Sequence, residues 1–405
     1  MQQRYWLIIV SIIGLSHLLW SVWQPTPQVV ATSSQRQFIP LVVKPSIFTE
    51  TFTGEPSQPQ RWNPANWDVT VHSRDVQTWY QLEAMAADHG ADCAPAPATH
   101  TIQAYEDAVY LCRNHVMTAI RASGYGMIYL TPDHLVDFSG GTATIRFDVS
   151  TLRTTLRDWI DLWISPYNDH LQLPLDMEVD LSGPPRNAVQ VRMDLSGNFF
   201  DVVIYRNFQP TVIEGLPIPY DQFLEPSPTR RDTFELQISR TRIKFGMPAY
   251  NFYWVDTSIA DLGWNQGVVQ FGHHSYNPLK DCPTTCRPGT WHWDNVTISP
   301  ARPFTIIDAN RRYVDRANPA ITLTAPAPAN ARLRFAGIGP NLQVRFDGGN
   351  WQAAQVQSHG VAFKDEHFRS FWMPIPAGVT RIEFRGDRWW GGDWHARDIS
   401  VWALP

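Results

Sequence analysis

Residues 173–185 read LPLDMEVDLSGPP, in which the carboxylates Glu178 and Asp180 stand two apart in an apolar run. In a strand, the period of two places both on one face, where paired acids could do nucleophilic or general acid–base work. A second run, RDWIDLWIS at 157–165, sets Trp159, Asp161 and Trp163 on one face and Asp158, Ile160 and Leu162 on the other. That indole–carboxylate–indole stripe has the composition of a sugar-facing groove, and equally that of a solvent-facing strand. Arg192, in NAVQVRMDL, is the cation expected to pair with Glu178 and Asp180 across neighbouring strands.

Histidines form a second constellation. His273, His274 and Tyr276 follow GVVQFG, and Trp291, His292 and Asp294 lie in the WHWDN stretch. Adjacent histidines in a strand face opposite ways, so one of the two joins any given site. With Asp294 they could form a metal site or an acid–base cluster, but the helix or carboxylate-rich loop of a strong metal motif is missing. Buttressing a cleft rim is the alternative. Near the C-terminus, GDRWWGGDWHARD collects Trp389, Trp390 and Trp394 beside Asp387, Asp393 and His395, a composition that grips sugar rings or plugs two sheets. There is neither a G-x-S-x-G elbow nor a phosphate-binding loop.

What must position these residues is a β framework. Runs at 66–71, 115–120, 126–132, 142–149, 157–165, 175–181, 187–195, 200–207, 233–247, 267–276 and 293–299 are β-branched or aromatic and bounded by turn residues. Residues 79–90 have helical spacing, and 100–108 suggest a helical turn. After a proline-marked boundary near 299–308, seven or eight short alternating segments suffice for a second sandwich. The reading is all-β, with a large sandwich over 47–300 and a smaller one over 303–405.

At 405 residues, with 43% hydrophobic and 13% aromatic content, the chain can bury two cores. A net charge of -5 and the absence of a Lys/Arg block exclude an electrostatic nucleic-acid footprint. Eighteen tryptophans supply flat apolar faces for packing or stacking.

Residues 1–31 hold an apolar run from Trp6 to Trp23 behind one Arg, which reads as a signal peptide or a membrane anchor, followed by a polar linker over 32–46. Either places the remainder outside the cytoplasm, and membrane contact is expected only through that segment. Four cysteines, Cys93, Cys112, Cys282 and Cys286, then read as two local disulfides, Cys93–Cys112 and Cys282–Cys286, among three connectivities that the count permits.

The opening IFTETFTGEPSQPQRWNPANWDV and the closing WHWDNVTISP resemble the ends of a concanavalin A-like lectin/glucanase domain, a jelly roll of two antiparallel sheets whose first and last strands meet. Within that superfamily, family 16 glycoside hydrolases carry Glu-x-Asp-x-Glu or Glu-x-Asp-x-x-Glu on one strand. The resemblance implies Glu178 as nucleophile and Asp180 as its support, but Ser182 or Gly183 stands where the acid/base belongs. A retaining glycosidase needs two carboxyls about 5–5.5 Å apart, and neither Ser nor Gly donates the required proton. The superfamily also implies a structural Ca²⁺, for which Asp294 is the side-chain candidate; no other cofactor is expected.

The resulting expectation is an exported protein that binds a polysaccharide or other glycan on the concave face of its jelly roll without cleaving it. A glycoside hydrolase with an acid from outside the motif, and an adhesive or structural surface protein, are the alternatives.

Overall fold

The computed structural model describes residues 46–54, 60–62, 64–73, 80–81, 101–102, 108–112, 114–120, 125–151, 157–166, 185–194, 199–218, 227–276, 289–308, 313–354, 369–388 and 392–403. Among these, regular structure is β apart from one 3-10 turn, Pro248–Tyr250.

The first sandwich begins with β1 (Ser46–Glu50), β2 (Gln60–Arg61), β3 (Trp67–Ser73), β4 (Tyr80–Gln81) and β5 (Thr101–Ile102). It continues through β6 (Ala108–Cys112), β7 (His115–Ile120), β8 (Tyr125–Pro132), β9 (His134–Asp137), β10 (Ala143–Thr151) and β11 (Arg157–Pro166). Next come β12 (Asn187–Asp194), β13 (Phe199–Arg206), β14 (Gln209–Ile213) and β15 (Ser227–Ile238). The last four are β16 (Arg242–Met247), β17 (Phe252–Ser258), β18 (Gln266–Tyr276) and β19 (Gly289–Pro303).

Apart from β4 and β5, which pair with each other as a separate two-stranded sheet, these strands make two antiparallel layers. One runs β14-β13-β12-β11-β18-β8-β3. The other runs β17-β16-β15-β10-β19-β7-β6-β2. β9 joins them at one margin, pairing with β18 through Gln266–Val268 and with β19 through Ala301–Pro303. β1 pairs with β19, so the first strand closes against the last, the jelly-roll arrangement that the resemblance implies.

Alternation explains why the layers face each other. Ile160, Leu162 and Ile164 of β11, Val189 and Val191 of β12, and Phe271 of β18 meet Phe147 of β10 and Trp293 of β19 in one core. Each fully buried side chain of this kind contributes about 1.5–3 kcal/mol.

One expectation is corrected. The run at 233–247 is not one strand: it folds back at 239–241, where Ser239 N–H donates to the Arg242 carbonyl at 2.9 Å, giving β15 and β16. Most of the helical segments expected over 79–90 and 100–108 lie outside the described residues; of those described, Tyr80 and Gln81 pair with Ile102 and Thr101, and Ala108 belongs to β6. Residues 1–45, the strand expected at 175–181, and Cys93, Cys282 and Cys286 lie outside the described residues. Cys112 is buried at the end of β6. No helix among the described residues is long and apolar enough to cross a membrane.

The second sandwich comprises β20 (Thr305–Asp308), β21 (Tyr313–Asp315), β22 (Ala320–Thr322), β23 (Ala331–Ile338) and β24 (Gln343–Phe346). It closes with β25 (Gln352–Ala353), β26 (Arg369–Pro374), β27 (Arg381–Arg385) and β28 (His395–Ala403). Its layers are β20-β28-β23-β26, with β21 on β28, and β22-β27-β24-β25. Leu333, Val344, Ile382 and Val401 occupy its own core. A third cluster joins the sandwiches: Leu135 and Val268 of the first meet Phe304, Ile306, Trp372 and Trp402.

Candidate functional site

The seven-stranded layer has an outer face, opposite the core, that carries a polar and aromatic array centred on β11. Trp159, Asp161 and Trp163 project there, since Ile160, Leu162 and Ile164 point inward. Register supplies the neighbours. β18 sets His274 beside Trp159, Gly272 beside Asp161 and Gln270 beside Trp163. On the other side β12 sets Arg192 beside Asp161 and Gln190 beside Trp163.

Asp161 is fully buried. Its Oδ2 accepts hydrogen bonds from Trp163 Nε1 at 2.7 Å and Gln190 Nε2 at 2.9 Å, and His274 Nε2 lies 3.0 Å from the same oxygen. Gly272 is what admits the carboxylate: a Cβ at 272 would stand 1.9 Å from Asp161 Oδ1. His274 is sandwiched in turn, its ring 5.3 Å from that of Trp159 and inclined by 11°, with the edge of Tyr129 at 5.5 Å on another side. Trp159 itself is half-buried and forms the accessible surface of this stack.

The array extends through Tyr205, whose hydroxyl donates to Gln190 Oε1 at 3.1 Å and whose ring stacks on Trp163 at 5.7 Å. Burial pushes the Tyr205 phenol up to about 12; the neighbouring Asp161 and Asp201 add to this, while Arg192 opposes it. The pairing of Arg192 with Glu178 and Asp180 expected from sequence lies outside the described residues. β13 sets Asp201 directly opposite Arg192, and the two form a two-pronged pair, with Nε donating to Oδ1 at 2.7 Å. That hydrogen bonding raises the guanidinium above its ordinary value, against the effect of burial. Glu178 and Asp180 lie outside the described residues.

The histidines do not gather into one cluster. His273 faces the interior, its Nδ1 2.9 Å from the Thr118 hydroxyl, which also accepts a bond from Trp293 Nε1 at 3.0 Å. His274 belongs to the Asp161 array on the opposite face. His292 lies in the other layer, its Nδ1 2.7 Å from His115 Nε2. Asp294 receives the Asn295 N–H at 2.8 Å and lies 3.5 Å from Arg231 Nε. Burial holds its carboxyl above the usual range, opposed by those two groups. The reason for the separation is period two, compounded by placement of 273–274 and 291–294 in different layers. Among the described residues, no group of three or more His, Cys, Asp or Glu is placed to hold a metal ion.

Trp291 is buried in the first core and Trp394 in the second, so both indoles pack rather than present a stacking face. Tyr276 ends β18 opposite Arg157 and Tyr125, and Trp389 and Trp390 lie outside the described residues. Gln190, Tyr205, Tyr129 and Gly272 complete the array yet carry no local motif; only the cross-strand register singles them out.

Among the described residues, the two acids of this array, Asp161 and Asp201, are engaged. Asp161 is enclosed by three nitrogen groups, and Asp201 neutralises Arg192.

No family model and no curated protein matches the chain. Among solved structures, it is similar to LamAcat from Zobellia galactanivorans, at 8% identity over 62% of this chain and 96% of that one, with a TM-score of 0.38. It is also similar to a Bacillus licheniformis beta-glucanase, at 8% identity over 62% of this chain and 97% of that one, TM-score 0.32. A third is the carbohydrate binding module CBM66 from Bacillus subtilis, at 12% identity over 45% of this chain and 86% of that one, TM-score 0.28. None of these likenesses assigns a role to a residue of this chain.

Proposed function

We propose that the protein binds a glycan without cleaving it, on the outer face of the seven-stranded layer. The observation that carries this reading is the Trp159–His274 stack beside Asp161: a half-buried indole nearly parallel to a ring 5.3 Å away, next to a carboxylate whose Oδ2 accepts two hydrogen bonds. A preoriented indole plane suits the apolar face of a sugar ring. Export and a Cys93–Cys112 disulfide are part of the proposal, supported by the apolar run at 6–23 and by the burial of Cys112.

The test pairs a glycan array with an assay for new reducing ends, on the wild type and Glu178→Gln. Binding without product release supports the reading. Product release that disappears in Glu178→Gln overturns it in favour of a hydrolase, and failure to retain any glycan overturns it in favour of a scaffold.

A further inference from the structure

A pocket of about 480 Å³ opens on the second sandwich, at the outer face of the β22-β27-β24-β25 layer. That volume is in the range of small-ligand sites. Two cross-strand pairs pave it. Arg345 of β24 stands opposite Glu383 of β27, and Gln343 stands opposite Arg385. The first pair is neutralised: Arg345 Nε donates to Glu383 Oε2 at 2.6 Å, and Arg381 also reaches Glu383 at 3.3 Å.

The second pair is not neutralised. Arg385 Nε donates to the amide oxygen of Gln343 at 2.7 Å, and the guanidinium carbon lies 4.3 Å from the ring centre of Trp351. Among the described residues no carboxylate lies within ion-pairing distance of Arg385. Trp351 also takes Arg345, at 4.6 Å. Stacking on an indole fixes the plane of a guanidinium and leaves its in-plane N–H edge available, the fork that matches a planar or tetrahedral oxyanion in two-pronged fashion. At the other side of the pocket Arg316 and Arg388 share a single carboxylate, Asp393, at 3.3 and 2.8 Å. The lining holds four arginines, Arg316, Arg345, Arg385 and Arg388, against three acids, Glu383, Asp387 and Asp393, in a chain whose net charge is -5. A local excess of positive charge on an acidic protein, held beside an aromatic ring, is an arrangement for a negatively charged ligand.

We propose that this pocket binds an anionic sugar unit, a ring bearing a carboxylate or a sulfate ester, with Arg385 as the anion contact. Taking a sugar as the carrier of the charge rests on the glycan-binding reading above; the charge selectivity rests on the pocket alone.

The experiment measures binding of the full chain to a polyuronate, a sulfated polysaccharide and a neutral β-glucan by calorimetry. Arg385→Ala should weaken binding of at least one anionic polymer roughly tenfold or more, the loss of a charge-assisted hydrogen-bonded contact. Arg385→Lys should recover only part of it, because an ammonium lacks the fork. Arg240→Ala, at an exposed arginine paired with Asp261 in the first sandwich, controls for general charge and should change nothing. The two anionic arms separate carboxylate from sulfate. Unchanged anionic binding in Arg385→Ala, an equal loss in Arg240→Ala, or retention of neither anionic polymer overturns the inference. Neutral-glucan binding that depends on Trp159 alongside indifference to Arg385 would remove this inference and leave the first reading standing. Arg385-dependent anionic binding with no dependence on Trp159 would do the reverse.

Discussion

Asp68 of β3 accepts a hydrogen bond from the indole nitrogen of Trp402 in β28 at 2.8 Å, across the join between the two sandwiches. The same carboxylate oxygen takes the Ser400 hydroxyl at 2.6 Å and Arg334 Nη1 at 3.2 Å, and all four side chains are buried. Asp68 lies on the outer face of β3, between the inward Trp67 and Val69, so the second sandwich is docked on the layer that carries the candidate site. Asp68→Ala would leave Arg334 buried without this carboxylate and should cost about 3–5 kcal/mol. Asp68→Asn, which keeps an acceptor, should cost less. Urea denaturation of both variants decides it: a loss below about 1 kcal/mol for Ala would show that the ion pair contributes little to docking.

Gly272 and Asp161 are directly opposed in β18 and β11, and the missing Cβ is what makes room for the carboxylate. Gly272→Ala should therefore destabilise the fold by about 1–3 kcal/mol. Removing the clash partner should relieve it, so Gly272→Ala in an Asp161→Ala background should cost less than in the wild type. A double-mutant cycle reads the coupling; strict additivity would count against the steric account.

The Tyr205 phenol, raised to about 12 by burial, favours its protonated form in the folded state. Its contribution is therefore fully present below the unfolded value near 10 and is lost as pH rises from about 10 to about 12. In that window wild-type stability should fall by up to about 3 kcal/mol more than that of Tyr205→Phe. The variant itself loses the bond to Gln190 and should be less stable at neutral pH. Parallel alkaline denaturation profiles of the two proteins would contradict this.

Trp159 is the accessible member of its stack, so Trp159→Ala should leave the melting temperature nearly unchanged while weakening neutral β-glucan binding about tenfold. Trp159→Phe should keep most of the affinity, because a flat ring remains over His274. Titration calorimetry distinguishes these outcomes from one in which both variants bind like the wild type.

Much of the framework was legible in the sequence because period-two alternation is local. The strand expected at 115–120 is β7 without adjustment, and 157–165 and 187–195 differ from β11 and β12 by a residue at one end. The stripe Trp159, Asp161, Trp163 was assigned to one face for the same reason. The pairing of Arg192 with Asp201 was not legible, because it depends on the register that sets β13 against β12.

By itself, then, the sequence determined an all-β chain with two apolar cores and the apolar face of each strand, since side-chain alternation depends on residue order alone. Only the tertiary structure decided which strands are neighbours. That choice brings Gly272, His274 and Gln190 around Asp161, sends His273 and His292 to separate layers, and sets Arg385 opposite an amide rather than an acid. The physical reason is that strand register is a long-range property: a one-residue slip exchanges the two faces, and no local pattern records which distant strand provides the hydrogen bonds.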